Sequence, residues 1–185
     1  MKLAVLADIH GNYRALEAVT AHLERWRPDA VIVAGDIINR GPRSLDCLQF
    51  VQEKQVTAGW RVVRGNHEDY VIRFTQPGLC LSETEQALFQ STYWTYHQLH
   101  QDVSALVAMP FQLSLTDPAG EEVRVVHASM HNTRDGIFPK TTDEQLREKI
   151  RTQDQPAPPL FCTAHTHWPL IRQIVQTLVV NVGSV

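Results

Sequence analysis

Five short stretches of the chain carry side chains of the kind that hold divalent metal ions. They are Asp8-Ile9-His10, Gly35-Asp36, Gly65-Asn66-His67-Glu68, a solitary His127, and His165-Thr166-His167. Imidazole nitrogen with carboxylate and amide oxygen suits first-row ions such as Mn, Fe, Co or Zn, and ligand type alone does not choose among them. Each stretch by itself says little. Asp-x-His caps turns, Gly-Asp is a common turn pair, Asn-His can cap a helix, and His127 alone reads as a core histidine. His-Thr-His is more informative, because alternate strand residues share a face. The weight lies in the conjunction: each group directly follows an apolar, strand-like run, which predicts a metal site along one edge of a sheet.

The elements that must position these groups alternate in the first half of the chain. Residues 3–8 read as a buried strand ending at Asp8. A helix follows from about Asn12, a good N-cap residue, to Trp26, and Pro28 stops it. Residues 30–35 form a second strand, Ser44–Lys54 a helix, and Arg61–Arg64 a third strand. Such βαβ order predicts a parallel sheet, and ligands bind beyond the carboxyl ends of its strands. Residues 68–108 read as helical throughout. Ser82 with Glu85 makes a capping box there, and Leu88, Phe89, Trp94 and Leu99 supply an apolar face. This segment either packs on the core or forms a cap over the site. From Phe111 the pattern turns to strands at 111–115 and 122–127 around an Asp-Pro-Ala-Gly turn. A helix over about 142–151, capped by Thr141 or Thr142, precedes a strand at 160–164 and a hairpin of 170–175 with 177–182. Residues 1–185 read as one domain.

Bulk properties exclude more than they assign. The formal net charge of −3 and the lack of a basic run give no electrostatic reason to expect nucleic acid or an anionic membrane as partner. No apolar stretch is long enough to cross a bilayer. Met1-Lys2 leads straight into the first strand, so no signal peptide is expected. Three cysteines, odd in number and without CxxC spacing, predict reduced thiols in a cytoplasmic protein.

Taken in order, the five stretches resemble the signature of the calcineurin-like metallophosphoesterase superfamily. Gly35-Asp36-Ile37-Ile38-Asn39-Arg40-Gly41-Pro42 and His127-Ala128-Ser129 are similar to its protein serine/threonine phosphatase and symmetrical dinucleoside-tetraphosphate hydrolase branch. The resemblance implies an α/β fold: a four-layer α/β/β/α sandwich with two mixed β-sheets. Ala164 stands where the family has Gly, and Asn39 where many protein phosphatases have Asp. Relatives usually continue beyond the point matching Val185, so a chain truncated at its C-terminus is expected.

The resemblance also implies roles. One metal ion takes Asp8, His10, Asp36 and His167, and the other takes Asp36, Asn66, His127 and His165, with Asp36 giving one oxygen to each. Two such ions, about 3.5–4 Å apart, would acidify a shared water to the attacking hydroxide. His67 is the expected general acid. Arg40 is the expected phosphate fork, Asn66 a further substrate contact and Arg134 a second phosphate contact. Asn39 is expected to turn a carbonyl oxygen to His67, orienting the ring without charging it. The activity implied is hydrolysis of a phosphomonoester or phosphoanhydride in a phosphorylated small molecule, nucleotide or phosphoprotein. The alternatives are a phosphodiesterase or nuclease acting on a cyclic nucleotide or nucleic acid, and a non-catalytic protein-binding scaffold.

Overall fold

Strand residues here point alternately to two different cores, and that alternation builds the layers. In the computed structural model, which describes residues 1–185, β1 (Leu3–Leu6), β2 (Ala30–Val33) and β3 (Arg61–Val62) form one sheet in the order β1-β2-β3. Leu6, Val31 and Val33 face α1 (Tyr13–Trp26) and α2 (Ser44–Ala58), where Leu16, Leu23, Leu48 and Val51 meet them. Ile32 points the other way, into a core shared with Val123, Val125 and Cys162 of the second sheet. That sheet has the order β4-β5-β6-β8-β7. Its strands are β4 (Gln112–Thr116), β5 (Glu122–Val126), β6 (Leu160–Thr163), β7 (Leu170–Ile174) and β8 (Thr177–Asn181). Phe161 and Val179 on its far face pack on Leu146 and Ile150 at the helix Asp143–Lys149. Three cores separated by two sheets make the four layers that the resemblance implied.

The five-stranded sheet is mixed: β5, β6 and β8 run parallel, while β4 and β7 are antiparallel to their neighbours. The three-stranded sheet, mixed by the resemblance but parallel by its βαβ order, is parallel throughout, because each of its connections is a helical crossover. No helix is long and apolar enough to cross a membrane. Cys47 and Cys162 are buried free thiols, and Cys80 is an exposed one.

The segment 68–108 departs from expectation. It is not one helical run but α3 (Asn66–Ile72), a 3-10 turn (Arg73–Thr75), α4 (Glu83–Leu88), α5 (Gln90–Gln98) and α6 (Ser104–Val107). Pro77 lacks an N–H and Gly78 takes φ +73°, so the chain cannot stay helical between the 3-10 turn and the Ser82 cap. The apolar face is also different. Leu88 and Trp94 are exposed, and the side of α5 that faces inward carries Thr92, Thr95 and the following Leu99. The last helix, Asp143–Lys149 (α7), is capped by Thr142, whose hydroxyl accepts from Gln145 N–H.

Phe161 is the largest fully buried side chain of the sheet-on-α7 core. Phe161→Ala is expected to cost about 3–5 kcal/mol in urea unfolding. A loss below about 1 kcal/mol would show that this layer is not a true core.

Candidate metal centre

The strands of the two sheets deliver their carboxyl ends to one place, but they do so through an unusual backbone. Asp8, His10, Asp36, Asn39, Arg40, His165 and His167 all have φ between 48° and 73°, the left-handed region that side chains other than glycine rarely adopt. Each such residue costs on the order of 1–3 kcal/mol and persists only where its surroundings over-determine it.

Glu68 is the main part of those surroundings. Its fully buried carboxylate accepts backbone N–H groups from Asp36 (2.9 Å), Ile37 (2.9 Å), Ile38 (3.4 Å) and Gly65 (2.8 Å). One side chain thus ties the loop after β2 to the loop after β3. Gly65 must be glycine, since a Cβ there would overlap the Asp36 carboxylate. At Gly35 a Cβ would stand 2.7 Å from His127 Nδ1. The second sheet joins in through His165 N–H, which donates to Asp8 Oδ2 at 3.0 Å, and Ser184 Oγ, which donates to the Asp8 carbonyl at 2.9 Å.

Seven expected ligands are brought together. His10 Nε2 lies 3.1 Å from His167 Nε2, and Asp8 Oδ1 lies 3.3 Å from His167 Nε2 and 3.6 Å from His10 Nε2. On the other side, His127 Nε2 lies 2.9 Å from Asn66 Oδ1 and 3.3 Å from Asp36 Oδ2. His127 Nδ1–H donates to the Ala34 carbonyl at 2.7 Å, which turns Nε2 toward the cluster. Asp8-His10-His167 and Asp36-His127-His165 each gather within a span that one ion could occupy. Asp8 Oδ1 is buried without a hydrogen-bond donor, as an oxygen reserved for a cation would be. His67 also falls within reach of His10 and Asp36.

Two expectations need correction. Asp36 does not offer one oxygen to each side: Oδ1 accepts His67 N–H at 2.8 Å, and Oδ2 alone faces both groups, 3.7 Å from His10 Nε2 and 3.3 Å from His127 Nε2. Nor does Asn39 turn its carbonyl to His67. Its Nδ2 is 2.8 Å from His67 Nδ1, because Oδ1 is engaged by Arg40 N–H at 2.9 Å. Arg40 is exposed at the cluster's rim, with its Nε 3.1 Å from His67 Nε2. Arg134 stands apart on the loop after β5. Its exposed guanidinium lines a groove of about 640 Å³ with Arg64, Tyr70, Arg73 and Phe89.

Electrostatics favour the metal-binding forms of most imidazoles. Burial pushes His10, His67 and His165 down to about 4, leaving their rings neutral at pH 7. Burial also lowers His167. Burial pushes Asp8 up to about 7, with His127 opposing and Asp36 adding to the rise. Asp36 is itself opposed by burial, yet His127, His67 and His10 hold its carboxyl below the usual range. Burial works against charge on His127 too, but Asp36 and Asp8 raise it to about 9.

Sequence reasoning named Glu68 within its motif without giving it a role, and passed over Thr92. Glu68 was visible only as the residue after Asn66-His67, with nothing to show that its carboxylate turns back on the backbone. Thr92 sat in a helical pattern among aromatics, where only its burial marks it out.

With this geometry in view, the relatives can be placed. The model of the calcineurin-like phosphoesterase family matches residues 1–178, and the chain belongs to that family. It is 32% identical over 154 residues to serine/threonine-protein phosphatase 1 of Salmonella typhimurium, covering 79% of this chain and 63% of that protein. It is 36% identical over 74 residues to the symmetrical bis(5'-nucleosyl)-tetraphosphatase of Photorhabdus laumondii, covering 39% of this chain and 26% of that protein. The chain therefore spans less than two thirds of the length of these curated relatives. Among solved structures, the hypothetical protein PH1004 from Pyrococcus horikoshii OT3 aligns over 99% of this chain and 76% of its own, with TM-score 0.80 and 22% identity. That likeness speaks for the fold alone.

Two outcomes follow from the site's chemistry. Glu68→Gln would turn an amide NH2 toward backbone donors, so stability should fall by about 3 kcal/mol in thermal or urea unfolding of metal-free protein. A loss under about 1 kcal/mol would show that the carboxylate is not the clamp. The second outcome concerns pH. A ligand imidazole must be neutral, so metal uptake near pH 7 should release a proton from His127, and affinity should rise toward about pH 9. In metal-free protein the sign reverses. A raised histidine contributes its stability in full below its ordinary 6.5 and loses it as pH rises through about 9. Calorimetric metal titrations in two buffers of different ionisation heat test the release, and identical heats would refute it.

Proposed function

We propose that this protein is a dinuclear-metal phosphoesterase that hydrolyses a phosphomonoester or phosphoanhydride. The observation that carries the reading is the single oxygen Asp36 Oδ2, set between the Asp8-His10-His167 group and the Asn66-His127-His165 group. A carboxylate oxygen facing two ligand sets is what a shared bridging ligand requires. Mn, Fe, Co or Zn fit the mixed N/O donors. Two such ions would supply charge stabilisation at phosphorus and activation of water.

The chain's own residues do the rest. Arg40, exposed at the rim with no carboxylate partner, binds non-bridging phosphate oxygens with its planar fork. Asn66 holds its amide oxygen 2.9 Å from His127 Nε2, where it would serve as a metal ligand and meet the substrate phosphate. His67 stands on the leaving-group side, edge-to-face with His10 at 4.7 Å. The helical segment 68–108 caps that side and bounds the groove where Arg134 offers a second contact. An arginine reaching non-bridging oxygens favours a terminal phosphate over a diester, which sets the phosphodiesterase and nuclease readings lower. Retention of every ligand sets the non-catalytic scaffold lower still. Free thiols and a net charge of −3 suit a cytoplasmic enzyme acting on phosphorylated small molecules, nucleotides or phosphoproteins rather than on nucleic acid or membranes.

The test is phosphate release by stripped protein reloaded separately with Mn, Fe, Co, Zn and Mg, across mono-, di- and polyphosphate substrates. Asp36→Asn should abolish bound metal and turnover together while the chain stays folded. Turnover that survives in Asp36→Asn, or that needs no metal, would sink the proposal.

A further inference from the structure

The loop after β6 serves both ligand groups of the candidate metal centre. It supplies His165 to the Asp36-His127-His165 group and His167, two residues on, to the Asp8-His10-His167 group. The spacing of the two groups therefore depends on how this one loop is held. Its backbone is left-handed at both histidines, φ 66° at His165 and 57° at His167, and such backbone persists only where neighbours over-determine it. Within the loop, Thr166 N–H donates to the Ala164 carbonyl at 2.7 Å and Trp168 N–H to Thr166 Oγ1 at 3.3 Å. These contacts shape the turn without fixing it to the rest of the molecule. Glu68 does not fix it either, since its carboxylate gathers the loops of the first sheet.

Asn181, the buried last residue of β8, supplies a tie. Its Nδ2 donates to the Ala164 carbonyl at 2.8 Å and to Thr166 Oγ1 at 3.0 Å, with the Ile137 carbonyl 3.4 Å away. Its Oδ1 accepts Gly183 N–H at 3.0 Å. The amide fits only one way round: turned over, it would set NH2 against the Gly183 N–H and an oxygen against two carbonyl oxygens. Its two acceptors on the loop belong to the residue before His165 and the residue between the histidines. One amide thus spans the peptide stretch that carries both. The same strand end reaches across the centre, where Ser184 Oγ donates to the Asp8 carbonyl at 2.9 Å and His165 N–H to Asp8 Oδ2 at 3.0 Å. Packing points the same way. A Cβ on Gly136 would stand 2.7 Å from Thr166 Cγ2, and one on Gly183 2.9 Å from Pro169 Cγ, so two backbone segments press on the loop.

We propose that Asn181 is the positioning residue that sets His165 and His167 relative to each other and so holds both ligand groups ready for metal at once. None of its hydrogen bonds goes to a ligand side chain, so it acts through the loop. This rests on the dinuclear-metal reading above and extends it to how the two sites depend on each other. Loss of a hydrogen-bonded support behind a metal ligand costs about 10–100-fold in metal affinity. Here one support is shared by two ligands, so its loss weakens both ions rather than one. Thr166 is the receiving end. Its hydroxyl accepts from Asn181 and from Trp168 N–H, so a serine there keeps the tie and a valine breaks it.

The experiment has two arms, both on the full chain. In the first, metal-free protein is titrated calorimetrically with Mn2+. In Asn181→Leu, which keeps the bulk and loses the donor, the affinities for both ions should fall by about 10–100-fold. Thr166→Val should weaken both by a smaller factor, and Thr166→Ser should bind as the wild type does. If circular dichroism shows that Asn181→Leu does not fold, the Thr166 pair decides the matter. The second arm is amide hydrogen exchange in metal-free protein. Without the tie the loop opens more often, so His165 and Thr166 N–H should exchange at least about tenfold faster in Asn181→Leu and in Thr166→Val. Val182 N–H, bonded to the Thr163 carbonyl in the ladder, should stay as slow as in the wild type. Wild-type affinities in folded Asn181→Leu, a loss confined to one ion, Thr166→Val behaving like Thr166→Ser, or unchanged exchange at His165 and Thr166 overturns the proposal. A wild type that takes up no metal, or only one ion, would instead overturn the dinuclear reading, and the exchange arm would still decide whether Asn181 holds the loop.

Discussion

The buried carboxylate of Glu68 gathers backbone N–H groups from two loops that are joined otherwise through contacts of Asp36, Asn39 and Arg40 with His67. One loop presents Asp36 and leads to Asn39 and Arg40, and the other presents Asn66 and His67. All five of these side chains stand on loops that the clamp joins. Burying a carboxylate is expensive unless its lone pairs are filled, and here backbone donors fill them. The same arrangement explains the glycine at position 65, because the two loops approach too closely for a side chain. Left-handed backbone at Asp36 is sustained by this contact, whereas at Asn39 and Arg40 the N–H groups go to Ser44 Oγ and Asn39 Oδ1.

The second constraint is the meeting of the two sheets. Ile32 in one and Val123, Val125 and Cys162 in the other share a core, which sets the carboxyl ends of β1 and β2 beside those of β5 and β6. Alternation along each strand therefore has two outputs. It fills the middle layer, and it aims the first polar residue past each strand at a common point.

That explains which features were legible in the sequence. Asp8, Asp36, His127 and His165 were conspicuous because each ends an apolar run, and a strand's end can be read from where its pattern breaks. Asn12 and Thr142 were legible as caps for a local reason: side chain and partner lie within one turn. What escaped depends on contacts between distant residues. The breaks in 68–108 turn on Pro77 and Gly78 within a pattern that otherwise favours helix. The inward threonines of α5 were hidden because Trp94 and Leu88 looked like the better core. The direction of the Asn39 amide depends on Arg40 N–H and on Thr92, 53 residues further on. The choice of Asp36 Oδ2 over Oδ1 depends on the His67 N–H. No pattern of residue types encodes either.

Asp8 has a consequence for the order in which the molecule is made. Its side chain is held by His165, 157 residues away, and its carbonyl by Ser184, 176 residues away. Closing such long loops is slow, because the chain's entropy must be surrendered before any contact rewards it. The β1-α1-β2 unit needs no such closure and can form while the chain is still emerging. The candidate metal centre cannot. Asp8 is made eighth, and its carbonyl gains the Ser184 hydroxyl only when the chain has reached residue 184. Asp8, His10 and Asp36 are all made long before His127, His165 and His167, the partners with which they gather into two groups.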